Sequence, residues 1–520
     1  MDFRFITALR NHLCKEYNIA DLPLDWELCP AEFDGEITIN CFRMAPHLRN
    51  APPKIAAQVQ EFLQGHDDVI AAEAVKAFVN ITLEPESLFR DTVADPETLL
   101  DACHVPQSER QRVLVEFSAP NTNKPQHLGH VRNNALGSSV CALLRRVGHS
   151  VIPVNLINDR GIHICKSMLA YSRWGNGSTP DDTGEKGDHF VGRFYVLYEN
   201  EFRRQAAALR QERDDLAECK DEELVLETEI GQAAQAMLRA WEKGDPATRE
   251  LWETMNEWVI DGFESTYHRM GVHFEKIYRE SETFTHGRDI IRQGLEDGVF
   301  QQRNDGAVVC NLEDEKMGEK VVLRSDGTSV YVTQDIGTTL LKQDDFSPDK
   351  QLWVVGDEQT FHFRVLFAIL QRLGYSWSAN LQHMPYGMVQ LPSGKMKSRE
   401  GTVVDADDLF DEMANLARKS TIERWGEHTT PADIDRRAEV IGMGALKFML
   451  LQVRPRTTLM FDPEAAVRFE GDTGPYVQYA YARICSILRK ADTYHPEDKV
   501  EWNVLGTPEE KELALHCARF

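Results

Sequence analysis

A short run of basic and imidazole side chains, Lys124 followed by His127-Leu-Gly-His130, could bind the phosphates of a nucleotide. The run follows residues 113–117, an apolar stretch rich in β-branched side chains that predicts a buried strand. It precedes residues 131–144, whose apolar spacing predicts a helix. A turn from strand to helix is the usual ligand crevice of a parallel sheet, and the positive end of the helix dipole favours anions there. Gly129 leaves room for a flat base. The run therefore predicts an ATP site; the alternative is two surface histidines beside a turn.

A second cationic loop, residues 393–401, carries Lys395, Lys397 and Arg399 between two glycines. It lies between a strand predicted at 388–391 and a helix predicted to begin near Asp405. Three cations in such a loop could offset the charge that develops on a leaving pyrophosphate. Because exposed basic loops are common, this loop taken alone is a weak signal.

The order of the predicted elements indicates an α/β fold with a doubly wound, Rossmann-like parallel sheet. Another strand is predicted at 150–157, with Asn158-Asp-Arg-Gly161 at its carboxyl end. Residues 172 to about 255 interrupt the alternation and predict a helical insertion on the outside of the sheet, with a loop at its start and helices at 199–220 and 222–243. The α/β pattern then resumes, with strands predicted at 306–312, 320–324, 329–333 and 351–356, a tight turn at Asp326-Gly327 and a helix at 360–373.

Three further regions flank this catalytic part, which we predict to span residues 109–404. Residues 1–108 alternate like strands at 36–42 and 75–83 around an amphipathic helix at 54–64, which indicates a separate α+β module. Residues 405–460 predict a helical connector, and residues 461–520 predict the first part of an all-α domain. Because the helical pattern continues to Phe520, we expect an incomplete helical bundle.

Composition and charge narrow the class of protein. The 520 residues fit two to four domains, and no apolar run reaches the ~18 to 20 residues of a membrane helix. No secretory signal opens the chain, so a cytoplasmic protein is expected. The ten cysteines form no pattern with zinc spacing, so no structural metal is expected. A net charge of −25 argues against indiscriminate coating of nucleic acid, but it allows a local basic surface for one folded RNA.

The nucleotide run resembles the HIGH motif of class I aminoacyl-tRNA synthetases and related nucleotidyl transferases. Its longer form, from Glu116-Phe-Ser-Ala-Pro-Asn121 through Lys124 to His130, resembles arginyl-tRNA synthetases. Lys395 and Met396 match the start of the KMSKS loop of this class, whereas Lys397-Ser398 departs from it. The resemblance implies an ATP site with Mg²⁺ arriving on the nucleotide, in which the catalytic residues are His127, His130, Lys124, Lys395 and Lys397 and further ATP contacts come from Gly129, Gly356, Met388 and Ser398.

An arginine substrate favours carboxylates, which form bidentate charge-assisted hydrogen bonds with a guanidinium. The resemblance assigns Glu116, Tyr331 and Asp335 to the guanidinium. It assigns Asn121 and Gln359 to the α-amino and carboxylate groups, with Ser118 as a further arginine contact. Each residue taken alone has another explanation: Tyr331 could be a core aromatic and Asp335 a helix N-cap.

Residues 461–483 resemble the start of the anticodon-binding domain of arginyl-tRNA synthetases. Tyr476, Tyr479 and Arg483 would then contact tRNA by base stacking and phosphate binding, although an aromatic stripe at helical spacing is often core. The resemblance also implies that residues 1–108 contact the elbow of the tRNA; the alternative is a domain that only buttresses the enzyme.

The resemblance implies an arginine–tRNA ligase that acts as a monomer on tRNA(Arg), L-arginine and ATP. Two alternatives stay open at this point. One is another class I synthetase or nucleotidyl transferase, and the other is a catalytically silent RNA-binding paralogue.

Overall fold

The computed structural model describes residues 3–93, 101, 103–391, 404–425, 430–491 and 501–519. Contacts divide the chain into two compact units, Met1–Pro106 with Ala491–Phe520 and Gln107–Lys490. The division after residue 106 lies close to the boundary predicted after residue 108. By contacts, Ala491–Phe520 group with the N-terminal module. The all-α domain predicted over residues 461–520 stays a prediction. The boundaries at 404 and 460 stay predictions.

The first unit is a four-stranded antiparallel sheet covered by helices. The strands are β1 (Trp26–Leu28), β2 (Ile37–Asn40), β3 (Val69–Val75) and β4 (Phe78–Leu83), and the helices are α1 (Arg4–Glu16), α2 (Ala45–Leu48), α3 (Pro52–Leu63), α4 (Pro85–Val93) and the helix Pro508–Arg519. The strands lie in the spatial order β1-β2-β4-β3 and pack with the helices around one apolar core that includes Ile37, Ile39, Ile55 and Val59.

The single strand predicted over residues 75–83 is wrong, because this stretch contains a hairpin turn. β3 ends at Val75, β4 begins at Phe78, and these two residues pair across the turn. Lys76 has a φ of 59°, in the left-handed region, which reverses the chain. Because paired residues face the same side of a sheet, the inward face changes from the even-numbered Ala72 on β3 to the odd-numbered Val79 and Ile81 on β4. Ala77 is buried in the turn itself, so the odd-numbered apolar residues resemble one continuous strand in the sequence.

The second unit contains a central sheet of five parallel strands in the order β12-β11-β5-β6-β7. From β5 the chain adds β6 and then β7 on one side of the sheet. It later adds β11 and β12 on the other side of β5, so the strand order reverses between β5 and β11. The doubly wound α/β fold is therefore confirmed. The edge strands β7 and β12 were not predicted. The strands of this unit are β5 (Arg112–Glu116), β6 (Ser150–Ile157), β7 (Lys276–Arg279), β8 (Gln301–Gln302), β9 (Val308–Leu312), β10 (Gly318–Leu323), β11 (Lys350–Gly356), β12 (Leu381–Tyr386), β13 (Val389–Gln390) and β14 (Leu459–Met460).

Helices cover this sheet and form most of the remaining described chain. Strands β8 to β10 form a small antiparallel sheet, and β13 pairs in parallel with β14. The helices are α5 (Leu128–Arg146), α6 (Ile162–Trp174), α7 (Pro180–Thr183), α8 (Gly187–Glu212), α9 (Asp221–Leu224), α10 (Glu229–Glu242), α11 (Pro246–Met270), α12 (Glu280–Thr283), α13 (His286–Glu296), α14 (Tyr331–Phe346), α15 (Thr360–Arg372), α16 (Ala406–Trp425), α17 (Pro431–Leu451), α18 (Pro463–Ala466) and α19 (Gly474–Lys490). In the part of the chain that the structure describes, none of the helices is long and apolar enough to cross a membrane.

The structure has only helices and turns between Gly161 and the start of β7, and the long helix α8 begins at Gly187 rather than near residue 199. The bounds of the insertion, about 172–255, stay a prediction. Phe190, Phe194, Tyr198 and Phe202 recur every four residues and are buried, so they give this helix a continuous apolar face. The Gly, Asp and Thr residues before them resemble a loop in composition, and the predicted loop was therefore too long.

The strand predicted over residues 329–333 is wrong. Only Ser329 pairs, in an isolated bridge with Leu323, and α14 begins at Tyr331. The Val-Tyr-Val alternation resembles a strand, but Val332 and Ile336 are four apart and both buried, which fits a helix packed on a core. The preceding turn at Gly327 was predicted correctly, and its φ is 77°.

Candidate active site

The nucleotide turn, residues 124–130, joins the carboxyl end of β5 to α5 beside the point where the strand order reverses. His127 is the N-cap of α5, and its Nδ1 accepts a hydrogen bond from the backbone N–H of Gly129 at 3.1 Å. His130 Nδ1 accepts from the backbone N–H of His127 at 3.2 Å. A Cβ at Gly129 would lie 2.9 Å from His127 Cε1, so glycine permits this packing. Reciprocal capping thus fixes both imidazoles, whose centroids are 4.0 Å apart.

These hydrogen bonds also fix the protonation of the two rings. Because each Nδ1 accepts, each neutral imidazole carries its proton on Nε2. Burial, helped by the charge of Lys124, lowers the pKa of His127 to about 4. Burial also lowers the pKa of His130 well below its usual range, with His127 and Lys124 adding to the effect. At pH 7 the turn therefore offers two neutral Nε2–H donors at a helix N-terminus.

The chain leaves β5 through a strained stretch, since Ser118 and Ala119 have φ values of 82° and 47°. The Ser118 N–H donates to Asn133 Oδ1 at 2.6 Å, and the Ala119 N–H donates to Asn155 Oδ1 at 3.0 Å. The Ser118 hydroxyl lies 2.7 Å from the hydroxyl of Tyr267. Left-handed conformations of such residues cost roughly 1–3 kcal/mol each. Buried hydrogen bonds thus hold the chain in the conformation that turns it toward the site.

Of the lysines predicted to bind phosphate, the structure describes Lys124 alone. Lys124 is exposed on the nucleotide turn. Lys395, Lys397 and Ser398 lie outside the described residues, so their roles on ATP stay predictions.

A buried arginine fixes the segment that carries Met388, one of the predicted ATP contacts. The fully buried Arg132 donates from Nη1 to the Met388 carbonyl at 3.0 Å. Its Nη2 donates to the carbonyls of Pro455 and Thr457 at 3.1 and 2.9 Å. Gly356, another predicted ATP contact, is the last residue of β11. Arg132 was not predicted; the only signal for it was an arginine within the apolar pattern of α5.

The predicted guanidinium contacts Tyr331 and Asp335 lie four residues apart on α14, on one face of the helix. The Tyr331 side chain is 80 % exposed, so it is not a core aromatic. Asp335 lies beyond the first turn and is not an N-cap, and its Oδ2 is 2.5 Å from His362 Nε2. This hydrogen bond raises the pKa of His362 against the opposing effect of burial.

Glu116 is less available to a ligand than we expected. It is the last residue of β5, only 6 % exposed, and its carboxylate forms an ion pair with the buried ammonium of Lys342. The Lys342 ammonium also lies 5.5 Å from the ring centre of Trp353. A direct guanidinium contact of Glu116 stays a prediction, but its charge already has a partner in the protein.

A third carboxyl group, that of Glu280, was not predicted; it lies close to Asp335, because Gln334, the residue before Asp335, contacts it. Glu280 follows β7 at the carboxyl edge of the sheet. With its amide turned to satisfy both neighbours, Gln334 donates to Glu280 Oε1 and accepts from Arg160 Nη1, each at 3.1 Å. Burial raises the pKa of Glu280 to about 7; Arg160 opposes the rise, and the charge of Asp335 adds to it. A bound cation would therefore favour the ionised form of Glu280. The only sequence signal was a short alternating run at 276–279.

The remaining predicted arginine contacts lie after neighbouring strands. Asn121 follows β5 and pairs with Asn158 in an isolated parallel bridge. Gln359 ends the short turn that follows β11 and is exposed. Both residues therefore lie at the carboxyl edge of the sheet, on either side of the nucleotide turn.

One acidic cluster could be mistaken for a metal site. Within the described ranges, only Asp188, His189 and Asp407 bring three potential ligand atoms close together. The Lys186 ammonium already lies 3.1 Å from Asp188 Oδ2 and 2.6 Å from Asp407 Oδ2. Because a protein cation takes this position, we assign no metal to the cluster.

The predicted tRNA contacts lie on the exposed surface of α19. Tyr476 and Tyr479 are 49 % and 41 % exposed, so they are not core residues. Arg483 Nη1 donates to the Tyr479 hydroxyl at 3.0 Å. The three side chains recur at helical spacing and can present two aromatic rings and a cation together.

Comparison with known proteins identifies the class. A family model described as tRNA synthetases class I (R), catalytic domain, matches residues 97–462. The Arginyl tRNA synthetase N terminal domain matches residues 6–83, and the DALR anticodon binding domain matches residues 477–520. The parallel sheet and the HIGH-like turn are thus those of a class I aminoacyl-tRNA synthetase.

Individual relatives narrow the family further. An arginine–tRNA ligase of Parabacteroides distasonis is 45 % identical over 88 % of this chain and 76 % of its own length. One from Amoebophilus asiaticus is 43 % identical over 99 % of this chain and 86 % of its own. The solved arginyl-tRNA synthetase of Thermus thermophilus superimposes with a TM-score of 0.78 at 26 % identity, covering 100 % of this chain and 86 % of its own. The chain therefore belongs to the arginyl-tRNA synthetase family.

Proposed function

We propose that this chain is an arginine–tRNA ligase, which activates L-arginine with ATP and transfers it to the 3′ end of tRNA(Arg). One observation carries the proposal: neutral donors for phosphate and carboxyl groups for a guanidinium lie at the same edge of one sheet. Membership of the arginyl-tRNA synthetase family supports the same activity.

In the first step, a carboxylate oxygen of arginine attacks the α-phosphorus of ATP, and the bond to the leaving pyrophosphate breaks. The Nε2–H groups of His127 and His130 would donate to phosphate oxygens as negative charge shifts onto them. Lys124 would add positive charge at the same place, together with Lys395 and Lys397 of the second loop. Mg²⁺ would enter as part of the ATP complex. No protein nucleophile is required, because positioning and charge stabilisation supply the catalysis.

In the second step, a terminal ribose hydroxyl of tRNA attacks the activated carbonyl and AMP leaves. Tyr476, Tyr479 and Arg483 are the proposed tRNA contacts on α19, and their exposure supports that role. We further propose a monomer that works in the cytoplasm and a tRNA contact by residues 1–108; these proposals rest on the family resemblance.

For arginine selection, we propose that Asp335 and Glu280 face the guanidinium, with Tyr331 beside them. A guanidinium is recognised best by carboxylates held in fixed positions. The accessibility of the two carboxyl groups supports this, since the side chains of Asp335 and Glu280 are 34 % and 17 % exposed, against 8 % for Glu116. Asn121, Ser118 and Gln359 complete the proposed arginine set, and the ion pair of Glu116 with Lys342 supports an indirect part for Glu116.

The experiment that tests the proposal is ATP–pyrophosphate exchange with each of the twenty amino acids, with and without tRNA(Arg). We expect exchange with arginine alone among them, stronger when tRNA is present. Exchange driven by another amino acid would favour a different class I synthetase. No exchange with arginine in the presence of tRNA would favour the silent RNA-binding paralogue.

A further inference from the structure

The insertion helix α8 contacts the nucleotide turn directly. Gly192, in the second turn of α8, faces the backbone at Lys124–Pro125. A Cβ at Gly192 would lie 2.8 Å from Pro125 Cδ and 3.5 Å from Lys124 Cα. The helix therefore approaches the turn about as closely as a residue without a side chain allows.

One turn earlier, the same helix contacts a second segment, residues 404–407. His189 Nε2 lies 3.1 Å from Asp407 Oδ2 and 3.6 Å from Asp405 Oδ1. Asp405 Oδ1 also accepts the backbone N–H of Asp407 at 2.8 Å, which fixes the start of α16. The Lys186 ammonium lies between Asp407 and Asp188, so the cluster contains both signs of charge.

The two segments that α8 contacts are joined to each other through their backbones. The Leu128 N–H donates to the Val404 carbonyl, and the Ala406 N–H donates to the Gln126 carbonyl, each at 2.9 Å. Residues 127 and 405 face each other in an antiparallel bridge at the centre of this pairing. A shift of residues 404–406 would therefore move the backbone that carries the first catalytic imidazole.

His189 and Gly192 are three residues apart, so they lie on one face of α8. That face contacts both chains of the pairing, one through the packing of Gly192 and the other through the hydrogen bonds of His189. The hydrogen bonds between the two imidazoles and the turn then carry any backbone displacement to the proposed donors.

We propose that His189 is a positioning residue for adenylate formation, acting on His127 and His130 through Asp405 and Asp407. This role rests on the proposed function. It needs no contact between His189 and substrate, only a fixed register of the paired segments 126–128 and 404–406. A displacement of about 1 Å at reacting groups can cost roughly a hundredfold in rate, so a modest loss of fixation would be measurable.

The test compares His189→Leu, which removes the hydrogen bonds, with His189→Gln, which keeps a donor. Both are made in the full chain and assayed by ATP–pyrophosphate exchange with arginine and tRNA(Arg). We expect His189→Leu to lower kcat about tenfold to a hundredfold with an unchanged KM for arginine. His189→Gln should restore most of the loss. His268→Gln, an exposed histidine on α11, is the matched control and should keep wild-type kinetics.

Gly192→Ala supplies an independent variant. Alanine favours a helix over glycine, so propensity alone would raise the melting temperature. The contact with Pro125 opposes this gain and would displace the nucleotide turn, so it predicts a lower kcat. A wild-type kcat in Gly192→Ala would contradict the role of this packing.

Two outcomes would overturn the proposal. A His189→Leu enzyme with a reduced melting temperature but a wild-type kcat at room temperature would show a merely structural residue. A loss that His189→Gln does not restore would show that the hydrogen bonds are not the cause. Wild-type exchange is measured in parallel: its absence would overturn the proposed function and this role together, whereas an active wild type separates the two.

Discussion

The nucleotide turn and the amino-acid pocket lie at the same edge of one sheet, yet they are built from different chemistry. In the turn, His127 and His130 are neutral and are fixed by backbone hydrogen bonds. In the pocket, the carboxyl groups of Asp335 and Glu280 each lie beside a basic side chain. Hydrogen bonds with the backbone hold the imidazoles of the turn, whereas contacts with basic side chains hold the carboxyl groups of the pocket.

The charge of the expected ligands explains this difference. Phosphate oxygens can be bound by neutral donors at a helix N-terminus, which cost little to bury. A guanidinium needs negative charge, and a buried carboxylate without a partner is expensive. The carboxyl groups of the proposed pocket, Asp335 and Glu280, therefore lie next to basic partners, and a bound arginine would compete with those partners.

Replacing an imidazole of the nucleotide turn should lower the exchange rate without changing the binding of arginine. His130→Ala removes one donor aimed at developing phosphate charge, so the exchange rate should fall about 10²- to 10³-fold. The KM for arginine should stay near wild type because the pocket is intact. Steady-state exchange kinetics with varied arginine measures both quantities. An unchanged exchange rate would rule out the role assigned to the HIGH-like motif.

The lysine on the turn should matter more than the second lysine of the loop. Lys124→Ala should lower kcat by as much as about a hundredfold, because it removes a charge beside the proposed donors. Lys397→Ala should have a smaller effect, because Lys397 stands at a position where the KMSKS motif has a serine. The measurement is kcat for both variants under the same conditions. A lower kcat in Lys397→Ala than in Lys124→Ala would show that Lys397, rather than Lys124, is the second phosphate-binding lysine.

Neutralising a carboxylate of the pocket should weaken the binding of arginine without changing the binding of ATP. Asp335→Asn keeps the shape but removes the charge, and loss of one member of such a pair costs roughly 2–5 kcal/mol. We expect the KM for arginine to rise about thirtyfold or more, which corresponds to the lower end of that range, while the KM for ATP is nearly unchanged. Melting temperature measured on the same preparation is the control. A lower melting temperature with an ordinary arginine KM would give Asp335 a structural role only.

Acidification should weaken arginine binding through His362. The pKa of His362 is raised by Asp335, so the imidazole is charged below that raised value and neutral above it. As the pH falls through this pKa, the ion pair strengthens and arginine must displace it, so the KM for arginine should rise severalfold. The same pair stabilises the free protein at low pH, and this stabilisation is lost as the pH rises through the folded pKa. In His362→Gln, the pH profile of KM should become flatter; a profile equal to that of the wild type would contradict the competition.

The nucleotide turn could be predicted from the sequence because its signals are local. The strand, the glycine, the two histidines and the helix all fall within about thirty residues, and each has its own pattern. The pocket could be predicted only in part. The pair of Asp335 with His362 joins residues 27 apart on different helices. Glu280 follows a four-residue strand whose pattern is too short to recognise.

Burial explains the errors in the predicted elements. The alternation at 329–333 resembles a strand, but only the tertiary core shows that Val332 and Ile336 face inward together as a helix. The charge of Glu116 was predicted without its partner because Lys342 comes from a distant helix. The local sequence pattern therefore predicted which residues belong to the site, whereas only the folded structure shows which charged residues pair with each other.

The central claim, that negative charge in the pocket selects the guanidinium, is tested most directly with citrulline. Citrulline has nearly the shape of arginine but no charge on its side chain. The measurement is the ratio of kcat/KM for arginine to that for citrulline in tRNA-dependent exchange, in the wild type and in Asp335→Asn. We predict a large preference for arginine in the wild type and a much smaller one in the variant. An equal preference in both proteins would contradict the claim.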